Sequence, residues 1–382
     1  MVCCRKSQNF TCEHTETFMT LYFPLLIFFF QIALAGWREM IGEVKEGLLM
    51  NGAFLVFFYI TVFLFRCGAK EKFSEIKEKI SKRELLRFGF FAVVCVAIFA
   101  DALRVMPNLE AIRLDQVAAT RGELLEENNY WQPRVLGYAS VLLTIITIHR
   151  AAMGLKYNLF AVASILVSVM NSTLTFGRGY LLLNTFALIN LYAGTKSKKA
   201  AVPLVVLGLV IFMGIEFARH GDLGLDALVE TLSNYFLAPV VGSTYVFRNN
   251  ISIALSCQSA ILSAFSQGCS GNLSQVIASS DITGFVSNVY GVVGEWYAVG
   301  GVLIIPLIGI VYGIACKKNT NKLPKQWSSS VAYYLFSVFS IYYFFSDPFL
   351  TNGVFAAFLV LVMFIAVKNQ LARKSRRLRL KI

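Results

Sequence analysis

Long apolar stretches alternate with short polar segments along most of this chain. A helix that crosses a bilayer needs about 20 mostly apolar residues, and about ten stretches approach that length. The predicted spans are 18–36, 47–66, 88–105, 135–150, 156–176, 179–194, 201–218, 297–316, 329–346 and 351–367. The stretch at 135–150 is short, and 156–194 could also form one interrupted pair. The pattern predicts an all-α polytopic membrane protein in which residues 1–382 form a single membrane domain.

Two segments are too long to be simple connections between spans. They cover residues 106–134 and 219–296. Long loops without regular structure are uncommon and are usually functional or disordered. The second segment contains the apolar patches Tyr235–Val241 and Ile251–Leu262, which are too short or too polar to span a bilayer. We expect helices there that lie at the membrane surface or dip into it.

Composition supports the membrane assignment and excludes several other classes. The chain is 57% hydrophobic and 15% charged, whereas a soluble domain carries about 25% charged residues. This excludes a soluble enzyme and a disordered chain. The net charge of +13 does not indicate nucleic acid as a partner, because the basic residues form short runs between apolar stretches. The eight cysteines form no zinc-binding pattern, and no metal or cofactor motif is present.

The distribution of lysine and arginine predicts the orientation of the chain. Basic runs occur at 66–87, 195–200 and 316–325 and in the tail that begins at Lys368. With ten spans, all of these fall on the same side as the N-terminus, and every lysine except Lys45 falls there too. Cytoplasmic loops carry the excess of Lys and Arg, so this side is the cytoplasm and both termini lie in it. The two long segments then lie outside.

Several arginines are predicted to lie outside, against this bias. Arg178 stands between two predicted spans with no acid near it in sequence, and Arg219 and Arg248 lie in the second outer segment. The planar guanidinium can bind phosphate oxygens through two hydrogen bonds at once. These three residues therefore predict a binding site for a lipid-linked diphosphate. The alternative is that each arginine pairs with a local carboxylate, which we favour for Arg113 and Arg121 in the acidic first loop.

Two further outer residues could act in proton transfer. His220 follows Arg219, and Glu295 stands at the start of the predicted span 297–316. Either could serve as a general base, and either could instead be a solvated side chain. Cys257 and Cys269 are the only cysteines that this topology places outside, where disulfides form. We therefore expect them to be bridged.

One run of residues resembles a known family. It reads Asn288-Val289-Tyr290-Gly291, then Gly294-Glu295-Trp296-Tyr297, then Gly300-Gly301-Val302-Leu303-Ile304, and ends with Gly309 and Gly313. The run resembles the late signature of the oligosaccharide repeat-unit polymerases, the Wzy-type O-antigen and capsule polymerases. Phe176–Leu182 resembles that family's Gly-Arg element, and Tyr235–Pro239 resembles its Tyr-Xaa-Xaa-Xaa-Pro stretch. Related O-antigen ligases often have a His-Asn pair where this chain has Ser287-Asn288, which favours a polymerase.

The resemblance implies a specific activity. Such proteins are metal-independent, cofactor-free membrane glycosyltransferases of the GT-C type in the bacterial inner membrane. They transfer a growing glycan from undecaprenyl diphosphate to a lipid-linked repeat unit on the outer face, and so make O-antigen or capsular polysaccharide. His220 or Glu295 would be the base, and Asn288 and Tyr290 would hold sugar or position the loop. The sequence leaves open whether a chain-length regulator also binds.

Two other activities remain as alternatives. One is an O-antigen ligase, and the other is a flippase or transporter for lipid-linked oligosaccharides. A transporter is expected to carry its polar residues near the bilayer midplane. Here they gather at the outer face, with Asp101 as the main exception.

Overall fold

The structure is a computed structural model. It describes residues 14–64, 80–105, 131–175, 179–194, 225–259, 290–320 and 325–343, together with the isolated positions 203, 206, 210, 214, 262, 278–279, 286–287 and 360. The helices are α1 (His14–Trp37), α2 (Ile41–Leu64), α3 (Lys82–Val105), α4 (Trp131–Ala152), α5 (Asn158–Thr175), α6 (Gly179–Gly194), α7 (Leu225–Arg248), α8 (Leu255–Gln258), α9 (Gly291–Gly300), α10 (Ile304–Thr320) and α11 (Trp327–Tyr342). Two strands of two residues each, β1 (Ala278–Ser279) and β2 (Val286–Ser287), pair antiparallel.

The protein is an α-helical membrane protein. Within the described ranges, four helices are long and apolar enough to cross a membrane: Ile41–Leu64, Lys82–Arg104, Trp131–Ala152 and Asn158–Thr175. Shorter apolar helices cover Phe23–Trp37, Gly179–Tyr192 and Ile304–Lys317. Helix α4 has 22 residues, so the short prediction at 135–150 underestimates it. The predicted spans 201–218 and 351–367 lie outside the described residues, apart from isolated helical positions.

Helix α3 shows most clearly what the membrane must cover. Only 11% of the apolar 18-residue stretch of this helix is buried within the protein. Leu86, Phe90 and Val93 are 78%, 74% and 67% exposed. A soluble protein does not expose a continuous apolar helix face of this kind. In a membrane, the hydrocarbon of the bilayer covers such a face. The helix starts with a capping box, in which the Ser81 and Glu84 side chains bond to each other's backbone N–H at 3.2 and 3.0 Å.

Contacts divide the predicted single membrane domain into two compact units. The first unit comprises Met1–Glu71, Leu228–Lys322 and Val331–Ile382. The second comprises Lys72–Ala227 and Leu323–Ser330. The first therefore holds α1, α2, most of α7, α8–α10 and most of α11, and the second holds α3–α6 and the first turn of α11.

In the first unit, α2 and α10 pack at very short distance. A Cβ atom added to Gly309 would lie 2.7 Å from the Phe54 carbonyl oxygen, and one added to Gly313 would lie 2.7 Å from that of Phe58. Gly-xxx-Gly spacing permits this close approach of two helix backbones. Both pairs advance by four residues in the same direction along the chain, so α2 and α10 run parallel.

Helix α7 covers the first apolar patch of the second outer segment, where a helix was expected. The patch Tyr235–Val241 is part of a 24-residue helix that contains Pro239. Leu237 and Val240 are 1% and 0% exposed, so this part of α7 packs inside the protein. Helix α7 contacts α2 at Gly47, whose N–H donates to the Thr244 hydroxyl at 2.9 Å. The patch Ile251–Leu262 contributes only the four-residue helix α8.

A polar network holds three helices together inside the second unit. The Asn184 amide on α6 donates to the hydroxyls of Ser140 on α4 and Ser168 on α5, each at 2.9 Å. The Ser164 hydroxyl on α5 donates to the Ser140 carbonyl at 2.9 Å. Asn184, Ser140, Ser164 and Ser168 are fully buried. Interhelical hydrogen bonds of this type join membrane helices that the hydrophobic effect cannot join.

Candidate functional site

The run that resembles the polymerase signature builds helix α9 and its surroundings. Tyr290 precedes the helix and is 2% exposed. Its carbonyl accepts a hydrogen bond from the Ser243 hydroxyl of α7 at 2.7 Å. Its side chain belongs to a cluster with Val246 and Ala298. The Tyr290 side chain is therefore part of the packing between α7 and α9.

Two glycines make this arrangement possible. Gly291 starts the helix at φ 60°, which glycine adopts without the penalty that a side chain would bring. A Cβ at Gly294 would lie 2.8 Å from the Ser243 Oγ and 3.1 Å from the Ser243 Cα. Any larger residue at Gly294 would therefore push α9 away from α7. The glycines in the motif thus have a structural reason that is independent of catalysis.

Backbone hydrogen bonds fix α9 at both ends. The Val292 N–H donates to the Tyr343 carbonyl at 2.8 Å, and the Ile253 N–H donates to the Ala298 carbonyl at 2.8 Å. The Tyr343 hydroxyl in turn donates to the Pro24 carbonyl of α1 at 2.8 Å. Helix α9 is therefore held by segments that are far apart in sequence.

The predicted span 297–316 is interrupted in the structure. Helix α9 ends at Gly300, and α10 begins at Ile304. Gly301 adopts φ 67°, and the space around its Cβ position is open, so the requirement for glycine there is conformational. The prediction of one continuous span was wrong because an apolar run does not reveal a break at a left-handed residue.

Glu295 is the described site candidate with the most unusual environment. It lies in the middle of α9 and is 5% exposed. The sequence left open a solvated carboxylate at this position, and the structure buries it. Burying an ionisable group is costly, so in a membrane protein such a group is a functional candidate by default.

Arg248 lies at the C-terminal end of α7, five residues beyond Ser243. Its Nη2 donates to Glu46 Oε2 at 2.9 Å and to the Gly42 carbonyl at 3.3 Å. Its side chain is 47% exposed. The Glu46 side chain is only 17% exposed, so the carboxylate side of this ion pair is partly buried. The pair with Glu46 is also the alternative that the sequence left open.

The Gly-Arg element is described only at its edges. Arg178 lies, with Phe176 and Gly177, outside the described residues. Helix α5 ends at Thr175 and α6 begins at Gly179. The Tyr180 ring packs against Gly137 of α4, where an added Cβ would lie 2.6 Å from Tyr180 Cε2. This contact fixes the start of α6.

Of the remaining candidate residues, only Cys257 belongs to the described part of the chain. Arg219, His220 and Asn288 lie outside the described residues. Cys257 forms a disulfide. Cys269 also lies outside the described residues, so the Cys257–Cys269 pairing stays a prediction. Among the described residues, no group of three or more His, Cys, Asp or Glu could hold a metal ion.

The sequence did not predict a polar contact between α3 and α4 in the second unit. The Gln132 amide of α4 donates to Asp101 Oδ2 of α3 at 3.0 Å. Gln132 is 5% exposed, and its Oε1 has no partner. Sequence analysis named Asp101 as the main polar residue that does not gather at the outer face, but no local signal identified Gln132 as its partner.

Comparison of the chain with protein-family models, curated proteins and solved structures finds no match.

Proposed function

We propose that this protein polymerises lipid-linked oligosaccharide repeat units on the outer face of the bacterial inner membrane. The observation that carries the proposal is the run from Asn288 to Gly313, which resembles the polymerase signature and contains the buried Glu295. The donor would be a glycan on undecaprenyl diphosphate, and the acceptor would be a new lipid-linked repeat unit. The product would be O-antigen or capsular polysaccharide.

The proposed architecture has ten spans, with both termini in the cytoplasm. The parallel packing of α2 and α10 supports it. Two parallel spans enter from the same face, so an odd number of crossings must separate them. Helices α3–α6 would supply four, and the predicted span 201–218 would supply the fifth. In this count α7 is not a span, and its charged residues Asp226, Glu230 and Arg248 agree with that.

The proposed chemistry is a transfer of the glycan from one oxygen to another. The acceptor hydroxyl attacks the anomeric carbon of the donor, a new glycosidic C–O bond forms, and the bond to the diphosphate breaks. A base takes the proton of the acceptor hydroxyl, and Glu295 is our first candidate, with His220 as the second. Arginines stabilise the charge that develops on the leaving diphosphate, and Arg178 is the first candidate, followed by Arg219 and Arg248.

Gel analysis of surface polysaccharide in a deletion strain tests this proposal. We expect the ladder of long chains to disappear and single repeat units to remain. The gene supplied on a plasmid should restore the ladder. A deletion strain that keeps its long chains would refute a polymerase function. One that loses single units as well as long chains would favour a ligase or a flippase.

A further inference from the structure

Helix α4 carries three exposed side chains at its predicted outer end that the proposed chemistry does not use. Trp131, Arg134 and Tyr138 follow one another at helical spacing on one face, and we call them the outer stripe. Trp131 and Tyr138 are 52% and 44% exposed, and Arg134 is exposed as well. Within the described ranges, none of the three side chains has a hydrogen bond or an ion pair.

The same face of α4 is closed farther along the helix. Val141 and Ile145 continue the outer stripe beyond Tyr138, and both are 0% exposed. The apolar stretch of α4 is 72% buried within the protein, whereas that of α3, which faces the bilayer, is 11% buried. Aromatic residues that anchor a protein at the membrane interface lie on helix faces that meet lipid. This face of α4 does not meet lipid, so the outer stripe opens into the space above its own buried continuation.

Two hydrogen bonds hold the start of α4 in place. The Gln132 amide donates to Asp101 of α3 at 3.0 Å, and the Asn171 amide of α5 donates to the Pro133 carbonyl. Gln132 and Asn171 are 5% and 3% exposed. The outer stripe therefore lies on a helix end that is fixed from two sides, and binding residues on a rigid helix are placed more precisely than residues on a loop.

The chemistry of the outer stripe selects a sugar that carries a negative charge. One face of a sugar ring presents C–H groups that pack against aromatic rings such as those of Trp131 and Tyr138. These two residues lie about 10 Å apart along the helix axis, which is about the length of a disaccharide. Arg134 lies between them, and a guanidinium without a counter-ion binds carboxylate or phosphate oxygens through paired hydrogen bonds.

We propose that the outer stripe binds an anionic sugar of the lipid-linked glycan. This inference rests on the proposed function, which places the glycan on the outer face. The sugar ring packs on Trp131 or Tyr138, and its charged group binds Arg134. Two parts of the substrate have this chemistry: an acidic sugar inside the glycan, and the sugar that is joined to the lipid diphosphate.

Binding of soluble probes to the full-length protein in phosphatidylcholine nanodiscs tests the inference. One probe is a tetrasaccharide of alternating glucuronic acid and N-acetylglucosamine, with neutral chitotetraose as its counterpart. The other is N-acetylglucosamine 1-phosphate, with N-acetylglucosamine as its counterpart. Saturation-transfer NMR measures the dissociation constants. We expect at least one anionic probe to bind at least about tenfold more tightly than its counterpart, because it adds a hydrogen bond between charged groups.

The probe that shows the preference identifies the part of the substrate that is bound. A preference for the glucuronic acid probe indicates a sugar inside the glycan, and a preference for the phosphate probe indicates the sugar at the lipid end. Equal binding of anionic and neutral probes would overturn the inference. Loss of probe binding when phosphatidylglycerol is added to the nanodiscs would also overturn it, since the outer stripe would then bind lipid headgroups.

Matched variants locate the binding. Arg134→Gln should remove the preference for the anionic probe, whereas Arg87→Gln, at an exposed arginine near the predicted inner end of α3, should keep it. Trp131→Ala should weaken the binding of anionic and neutral probes alike. Trp37→Ala, which removes a 62% exposed tryptophan at the end of α1, should not. Wild-type binding by Arg134→Gln would contradict the assignment, and if that variant does not fold, the comparison of probes on the wild-type protein decides.

The result also separates this inference from the proposed function. Failure of probe binding, in a protein whose deletion still abolishes long chains, would refute the outer stripe as a sugar site and leave the polymerase proposal intact. Binding that depends on Arg134, in a protein whose deletion leaves the long chains unchanged, would refute the polymerase proposal. The outer stripe would then remain a sugar-binding site of a different activity.

Discussion

Individual residues of the same type occupy different environments in this protein, and burial separates them. Glu295 and Glu46 are both acids near the predicted outer face. In the structure Glu295 is 5% exposed inside α9, whereas Glu46 forms an ion pair with the half-exposed Arg248. The sequence could identify Glu295 as a candidate, because it lies in a recognisable motif. It could not reveal the burial, which depends on packing with distant segments.

Replacing Glu295 with glutamine tests its role as the base. The amide keeps the size of the side chain but cannot accept the acceptor's proton. We expect Glu295→Gln to accumulate in the membrane and to lower the polymerisation rate about 10²–10⁴-fold, the usual contribution of a general base. Polysaccharide gels and immunoblots of the membrane fraction measure the two quantities. Glu43→Gln, in the first turn of α2, is the control and should keep the ladder. A normal ladder from Glu295→Gln would exclude this residue as the base.

Replacing Arg178 with lysine tests diphosphate binding. An arginine that only anchors the chain at the interface can be replaced by lysine, since both side chains reach the interface in the same way. A lysine cannot reproduce the two parallel hydrogen bonds of a guanidinium. We expect Arg178→Lys to insert normally and to lose about 2–3 kcal/mol of transition-state stabilisation, roughly a hundredfold in rate.

The control for Arg178→Lys is Arg113→Lys in the acidic first loop, which should behave like the wild type. Both strains are compared by the chain length of their surface polysaccharide. Long chains of normal length from Arg178→Lys would remove this residue from the site. Arg219 and Arg248 would then be the remaining diphosphate candidates.

Whole helices were predicted more successfully than their ends and their packing. Apolar length was enough to locate α1 to α6, because a spanning helix has a minimum length. It was not enough for α9 and α10, where Gly301 breaks an apolar run, or for α7, whose polar residues are satisfied by neighbouring segments. The glycines that resemble a catalytic signature are largely explained by contact. Gly294 touches α7, and Gly309 and Gly313 touch α2.

The packing of α10 on α2 predicts that even the smallest side chain destabilises the protein there. In Gly309→Ala and Gly313→Ala, the new methyl group would lie 2.7 Å from a backbone carbonyl oxygen of α2. A backbone atom cannot move aside as a side chain can. We therefore expect the free energy of unfolding to fall by about 1–3 kcal/mol in each variant. Thermal unfolding in detergent measures it.

Gly89→Ala on α3 is the matched control for these two variants. Outside the adjacent residues and backbone of its own helix, no atom lies within 4 Å of the added methyl group, and alanine favours a helix over glycine by up to about 1 kcal/mol. The control should therefore unfold at the same temperature as the wild type or higher. If Gly309→Ala also unfolds at or above the wild-type temperature, the close packing of α2 and α10 is wrong.

On the scale of the whole molecule, the α-helical membrane class was predictable and the assembly was not. The alternation of apolar stretches and lysine-rich segments indicated a membrane protein and an orientation. The parallel arrangement of α2 and α10 is compatible with the ten predicted spans. The division into two compact units left no trace in the sequence, because Leu228–Lys322 and Val331–Ile382 join the first unit through tertiary contacts alone.

Reporter fusions test the orientation. A reporter that is active only in the cytoplasm should be active after Lys199 and after Lys325, which follow predicted inward crossings. The same reporter should be inactive after Asp226 and after Ser280, in the second outer segment. Alternating activity in the opposite sense would overturn both the topology and the placement of the reaction on the outer face.

The side of the membrane on which the lipid-linked intermediate accumulates tests the central claim most directly. In a deletion strain, intact spheroplasts can be treated with a glycosidase or lectin that cannot cross the membrane. The account predicts that the single repeat units on undecaprenyl diphosphate are accessible from outside, because they have been translocated but not joined. Repeat units that become accessible only after lysis would contradict it, since their arrest on the inner face would make the protein a flippase.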